Sequence, residues 1–295
     1  MAHRSVAAIS IVGLLLIASA CQGAAAMSSP VATQVSATVG SSPAVLDAAV
    51  PANAASADEP ANLDVLRTQI KAYYGDPTGT GVVGADSPYA RDTRAVAAAG
   101  LDWLEHGWSG NGESRVKAIV LDIDDTSVVT WGGSVQNNWN ATAAQWTAYM
   151  TAELAPAVPG MVEMVNQAAR DGYAIFWITG RASAGEAVSL GNLTDSDTVG
   201  LDAGYPHPTT LNNGEDGLFT KPDIADYPAY LKDACATELS AGTACTTIHY
   251  KSATRAHIES LGYEIVASFG DQLSDLTGGH ADRTFKLPNP NYFLP

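Results

Sequence analysis

Positive charge is scarce in this chain: 15 Lys and Arg stand against 31 Asp and Glu over 295 residues, a formal net charge of -16. A surface of that sign repels polyanions, so a nucleic-acid polymer is not the expected partner. A small anionic ligand would need cations gathered locally. Cysteine is scarcer still, with three residues, too few for a disulfide-dense scaffold. No paired CxxC, P-loop, GxSxG elbow or HExxH is present, the six His are scattered without metal-ligand spacing, and there is no internal repeat. What remains is 46% hydrophobic, enough to bury a full core, and the length fits one large α/β domain or two small ones.

No apolar run is long enough to span a membrane. The run from Val6 to Ala18 follows Arg4 and precedes small residues, so residues 1–20 read as an export signal. Ala18-Ser19-Ala20 fits ordinary secretory cleavage, whereas "IASAC" fits a lipobox in which Cys21 becomes the lipid-bearing first residue. Lipidation would explain the odd thiol that is left if Cys235 and Cys245 form a disulfide, although their spacing suits two buried thiols equally well. The expected location is outside the cytoplasm, on the cell surface or secreted. Residues 21–60 contain no aromatic residue and no Lys or Arg, which reads as a disordered Ala/Ser/Pro tether or a propeptide. The folded domain is expected over 61–295.

That domain alternates helix-like and strand-like segments. Leu63, Leu66, Ile70 and Tyr73 mark an amphipathic helix, and a second follows from Tyr89 to about His106. Val116–Leu121 reads as a buried strand. A helix from near Pro159 then leads to a strand over Tyr173–Ile178. "CTTIHYKSATRAHIESLGYEIVASF" reads as a short strand to Tyr250, a helix from Ser252 to about Leu261 and a strand over Glu264–Phe269. Apolar strands in βαβ order imply a mostly parallel sheet with helices on both faces. Ligands of such sheets bind outside the carboxyl ends of the strands. Four expected strand ends deliver polar residues there: Asp122 and Asp124, then Thr179, then Lys251, then Asp271 with Asp275.

Taken together, Asp122-Ile123-Asp124-Asp125-Thr126, Thr179-Gly180-Arg181, Lys251 in "YKSATR" and "GDQLSDL" with Asp271 and Asp275 resemble the four motifs of the haloacid dehalogenase-like phosphohydrolases. The closest likeness is to the acid phosphatase branch, subfamily IIIB, which holds class C lipoprotein phosphatases and plant vegetative storage-like proteins. Two positions depart from that branch: Asp125 stands where Glu is usual and Leu273 where Trp is common. The resemblance implies a Rossmann-like fold with a small helical cover and a phosphomonoesterase that works through an aspartyl-phosphate. It implies Asp122 as nucleophile, Asp124 as general acid and base, and Mg²⁺ held by Asp122, Asp271, Asp275 and the backbone carbonyl of Asp124. Thr179, Gly180 and Lys251 would bind the phosphoryl group. Asp275 would either hold a metal-bound water or orient Lys251, and Arg181 would either join the phosphate site or form a structural ion pair. A non-catalytic storage or binding protein of the same fold, and a phosphotransferase, are the competing readings. Trp131, Trp139 and Trp146 could line the entrance or fill the core, the insert 183–244 is a candidate rim, and Asp125 is the expected capping residue.

Overall fold

The computed structural model describes residues 60–110, 115–194 and 200–294. The expected leader, Cys21 and the tether up to residue 59 lie outside the described residues. Pro60 to Pro295 cluster as one compact unit. Its elements are α1 (Leu63–Tyr73), α2 (Pro88–Asp102), β1 (Val116–Leu121), α3 (Trp131–Gln136), α4 (Ala143–Thr151), α5 (Met161–Arg170), β2 (Ala174–Ala182), α6 (Glu186–Thr194), β3 (Leu218–Lys221), α7 (Ala229–Ala234), α8 (Ala236–Ser240), α9 (Thr247–Ser260), β4 (Tyr263–Gly270), α10 (Leu273–Leu276) and β5 (Arg283–Lys286). Among the described residues no helix is long and apolar enough to cross a membrane.

The five strands form one parallel sheet in the order β3-β2-β1-β4-β5. Side chains alternate across it. Ile119 and Leu121 of β1, with Ile175 and Trp177 of β2, bury one face under Ala97 of α2 and Met161, Met164 and Val165 of α5. Ala118 and Val120, with Phe176 and Ile178, bury the other face under Leu231 of α7 and Tyr250 and Ile258 of α9. A β1 strand apolar on both sides needs helices above and below, since each large side chain kept from water contributes about 1.5–3 kcal/mol. From β1 the chain steps outward through β2 to β3, then returns past β1 to add β4 and β5. The strand order therefore reverses between β1 and β4, and a crevice opens at their carboxyl ends.

Two expectations are corrected. There is no strand before Tyr250: the run Thr246-Thr247-Ile248 is β-branched and mimics one, but Thr246 is an N-cap whose side chain accepts from the His249 N–H at 3.2 Å. With that start, α9 places Tyr250, Thr254 and Ile258 in the core at four-residue steps, so Lys251 rides on a helix and not at a strand end. Strand β2, in turn, does not stop at Ile178; it runs on through Thr179, Gly180 and Arg181 to Ala182, which pairs with Lys221 after an irregularity in the register. The sequence reading also passed over β3 and β5, each four residues long and at a sheet edge. Both lie where the period is too short to register.

Candidate active site

Strands β1 and β4 run side by side, with Leu121 opposite Phe269, so the residues that follow them are neighbours. Asp122 and Asp271 thereby meet, and α10 brings Asp275 to the same point. One carboxylate oxygen from each of the three lies within 4.8 Å of the others, all three buried. Lys251 reaches this cluster from α9: its Nζ donates to Asp122 Oδ1 at 2.7 Å and to Asp275 Oδ1 at 2.5 Å. Asp275 thus contacts Lys251 directly, while one of its oxygens also lies in the carboxylate cluster. Asp275 Oδ2 also accepts from the Gln272 N–H at 2.8 Å. Asp271 accepts from Thr126 Oγ1 at 3.1 Å, Gln272 Nε2 at 2.6 Å and Asn289 Nδ2 at 2.7 Å.

Three carboxylates around one ammonium leave excess negative charge in a buried place. Burial pushes the Asp122 carboxyl well above the ordinary range; Lys251 opposes the rise, and Asp275, Asp271 and Asp124 add to it. Asp271 is raised as well, by burial and then by Asp275. For Lys251 burial works against the charge, but Asp122 and Asp275 outweigh it and hold the ammonium above its usual value. A hard divalent cation is what such an all-oxygen, electron-rich set suits. The donor set fits Mg²⁺.

Asp124 occupies a different setting. Its two carboxylate oxygens accept from Arg181, Oδ1 from Nη2 at 2.7 Å and Oδ2 from Nε at 3.0 Å, while Arg181 Nη1 donates to Ser189 Oγ at 3.1 Å. Of the two roles considered for Arg181, the structure shows the ion pair. Thr179 is buried and its Oγ1 accepts from the Arg181 N–H at 3.1 Å; its own hydroxyl proton is left to give. Gly180 lines the cavity, and a Cβ there would meet no protein atom within 4 Å, so the glycine leaves room on the ligand side. Asp125 caps no helix. It sits at φ 54 in the left-handed region, and its carboxylate accepts from the N–H and hydroxyl of Thr130, closing the loop 125–130 upon itself. Burial and then Asp271 raise its carboxyl to about 7.

Asp122, Asp124, Gly180, Arg181, Lys251 and Asp275 border one cavity of about 920 Å³, whose lining does not include Asp271, Asp125 or Thr179. Asp122, Asp124, Lys251 and Asp275 form its floor. The α3–α4 region supplies the expected helical cover, with Trp139 and Trp146 on the cavity wall. Trp131 is instead fully buried, stacked on Tyr74 at 4.3 Å and donating from Nε1 to Asp76. The segment 183–244 does reach the rim, through Val188, Ser189 and Lys221, but much of it is helix and strand, not loop. Cys235 and Cys245 are joined, with Cα atoms 5.3 Å apart.

Several site residues escaped the sequence reading. The C-terminal tail supplies Asn291 and Tyr292 to the wall, and Asn289 to Asp271. Arg255, four residues after Lys251 on the same helix face, is fully buried and donates to the backbone carbonyls of Asp275 at 2.7 Å and Gly279 at 2.8 Å. Its spacing from Lys251 was the one available signal. The tail run "FKLPNPNYF" resembles the end of the acid phosphatase branch, but residue type alone does not show that Asn289 reaches Asp271 and Asn291 reaches Ser134.

The family described as HAD superfamily, subfamily IIIB (acid phosphatase) matches residues 80–223 and 224–295. The chain belongs to this family. Among curated relatives, the stem 28 kDa glycoprotein of Glycine max is 32% identical over 142 residues, 48% of this chain and 44% of that protein. Vegetative storage protein 1 of Arabidopsis thaliana is 26% identical over 240 residues, 79% of this chain and 74% of that protein. The chain thus spans under half the length of the soybean relative. The class C acid phosphatase of Bacillus anthracis has a TM-score of 0.47 at 19% identity, covering 68% of this chain and 79% of its own. Membership of subfamily IIIB accords with the α/β architecture and with the four motifs in the order the sequence displays them.

Proposed function

We propose that this member of subfamily IIIB is a Mg²⁺-dependent phosphomonoesterase that acts on small phosphate esters through an aspartyl-phosphate on Asp122. The observation that carries the reading is the buried cluster in the cavity floor, where Asp122 is held by Lys251 at 2.7 Å with Asp271 and Asp275 within ion-binding reach. Asp122, Asp271 and Asp275 would hold the cation together with the backbone carbonyl of Asp124. When bound, it would neutralise charge that otherwise sets a carboxylate against a phosphate dianion.

The chain's own residues then divide the work. The Asp122 carboxylate forms a bond to phosphorus as the bond from phosphorus to the leaving oxygen breaks. Asp124 gives a proton to that oxygen and later takes one from the water that hydrolyses the acyl phosphate. Arg181 grips Asp124 at both oxygens and so fixes its direction. Lys251 balances charge on Asp122 and on the phosphoryl oxygens, and the Thr179 hydroxyl donates to one of them. The acidic surface disfavours nucleic-acid polymers, which leaves small esters as substrates. The leader expected over 1–20 would export the enzyme, and lipid on Cys21 would anchor it to a membrane; mass analysis of the mature N-terminus tests both.

The deciding experiment is hydrolysis of a generic aryl phosphate by the purified protein, with Mg²⁺ and with chelator, beside Asp122→Asn. Turnover that needs Mg²⁺ and vanishes in the variant is expected. A wild type no faster than Asp122→Asn across a broad ester panel would sink the enzyme reading and favour the storage protein. Phosphate passing to an added alcohol in preference to water would mark a phosphotransferase.

A further inference from the structure

Six ionisable acidic or basic side chains line the cavity: Asp122, Asp124, Asp275, Arg181, Lys221 and Lys251. Five are paired with one another. Arg181 holds Asp124, and Lys251 holds Asp122 and Asp275. Lys221 is the sixth, and among the described residues it has no carboxylate partner. Thr220, the residue before it, donates its hydroxyl to Glu186 at 2.6 Å, so the acid that reaches this strand end is already engaged.

Lys221 is nevertheless held in place. It ends β3 beside Ala182 of β2, one residue past Arg181. Its Nζ donates to the Cys245 carbonyl at 3.1 Å and lies 5.8 Å from the centre of the Tyr250 ring. The carbonyl is itself fixed, because Cys245 is bonded to Cys235 and its N–H donates to the Tyr227 hydroxyl at 3.2 Å. An ammonium has three donors, and one is used. Burial and the neighbouring Lys251 pull it below its ordinary pKa, as happens where positive charge gathers without an anion.

We propose that Lys221 is a specificity-determining residue that binds a second anionic group, a carboxylate or a second phosphate, carried on the leaving-group side of the substrate. The proposal rests on the phosphomonoesterase reading. The reacting phosphoryl group would have Lys251 and Thr179, and Lys221 adds a further cation to the lining of the same cavity. A half-buried, pre-positioned ammonium discriminates charged from neutral ligands because leaving it unmatched in the complex forfeits its hydration.

The test compares phenyl phosphate with its 4-carboxylate derivative and with 1,4-phenylene bisphosphate, which share a scaffold and differ in the distal charge. The wild type is expected to favour both charged esters over phenyl phosphate by about tenfold in kcat/KM, mostly through KM. In Lys221→Met that ratio falls toward one, and Lys221→Arg restores most of it. A preference for the carboxylate alone, or for the bisphosphate alone, identifies which anion fits. A wild-type ratio near one, or a Lys221→Met variant that keeps the ratio, overturns the proposal. So does a loss equal on all three esters, which would place the lysine on the reacting phosphoryl group. Titration calorimetry of the three compounds on Asp122→Asn reads the same ratio without turnover, so failure of the enzyme reading is told apart from failure of this one.

Discussion

Two carboxylates two residues apart live in opposite surroundings. Asp122 and its partner Lys251 have side chains 9% and 5% exposed, whereas Asp124 and Arg181 are 23% and 10% exposed. Asp122 shares its ammonium with Asp275 and faces Asp271 as well, so its pocket carries more negative charge than it can balance. Asp124 has a guanidinium to itself, in a two-point grip. One place is built to be completed by a cation and the other is complete as it stands. Burial makes the difference, since a charge taken out of water depends on its partners and a charge near water does not.

The largest expected effect breaks the buried side. Asp122→Asn keeps the shape and removes the carboxylate proposed to attack phosphorus, and aryl phosphate turnover should fall by about 10³-fold or more, read by steady-state kinetics. Asp124→Asn, on the open side, should cost about 10²- to 10⁴-fold, the range of a lost proton-transfer group, with the loss in kcat.

Stability separates the two pairs in the same order. Lys251→Met strands Asp122 and Asp275 in a buried site and should cost about 3–5 kcal/mol in denaturant unfolding without metal. Arg181→Met leaves Asp124 able to meet water, and about 1–2 kcal/mol is expected. Equal losses would show that burial does not govern the contrast.

The smallest effect concerns pH. Asp125 is raised to about 7 in the fold, so the fold favours its protonated form. That contribution is fully present below the ordinary Asp value and is lost as pH rises through about 7. Metal-free protein should therefore lose stability as pH climbs from about 4 toward 7, and Asp125→Asn should flatten that slope in urea titrations at successive pH values. A slope of the opposite sign, or one unchanged in the variant, would remove Asp125 as its source.

Much of this was legible before the fold. Strands β1 and β4 are long and apolar on both faces, so they showed as runs, and the acids after them stood out because they break those runs. Lys251 was found as a residue but placed on the wrong element, because β-branched Thr-Thr-Ile imitates a strand and only the Thr246 cap and the packing of Tyr250 and Ile258 select the helix. Strands β3 and β5 have four residues each, too few for a period, and their identity comes from pairing with β2 and β4. Lys221 lies in the insert 183–244, outside the four motifs.

By itself the sequence determined which groups are candidates for the chemistry and that Asp122 and Asp271 sit where apolar strands end, because residue type and the alternation of apolar segments are local properties. The partners were decided only by the tertiary structure. That Arg181 belongs to Asp124, Lys251 to both Asp122 and Asp275, and Lys221 to no carboxylate among the described residues follows from strand order and helix packing, which bring residues 24, 57 and 129 positions apart into hydrogen-bonding distance.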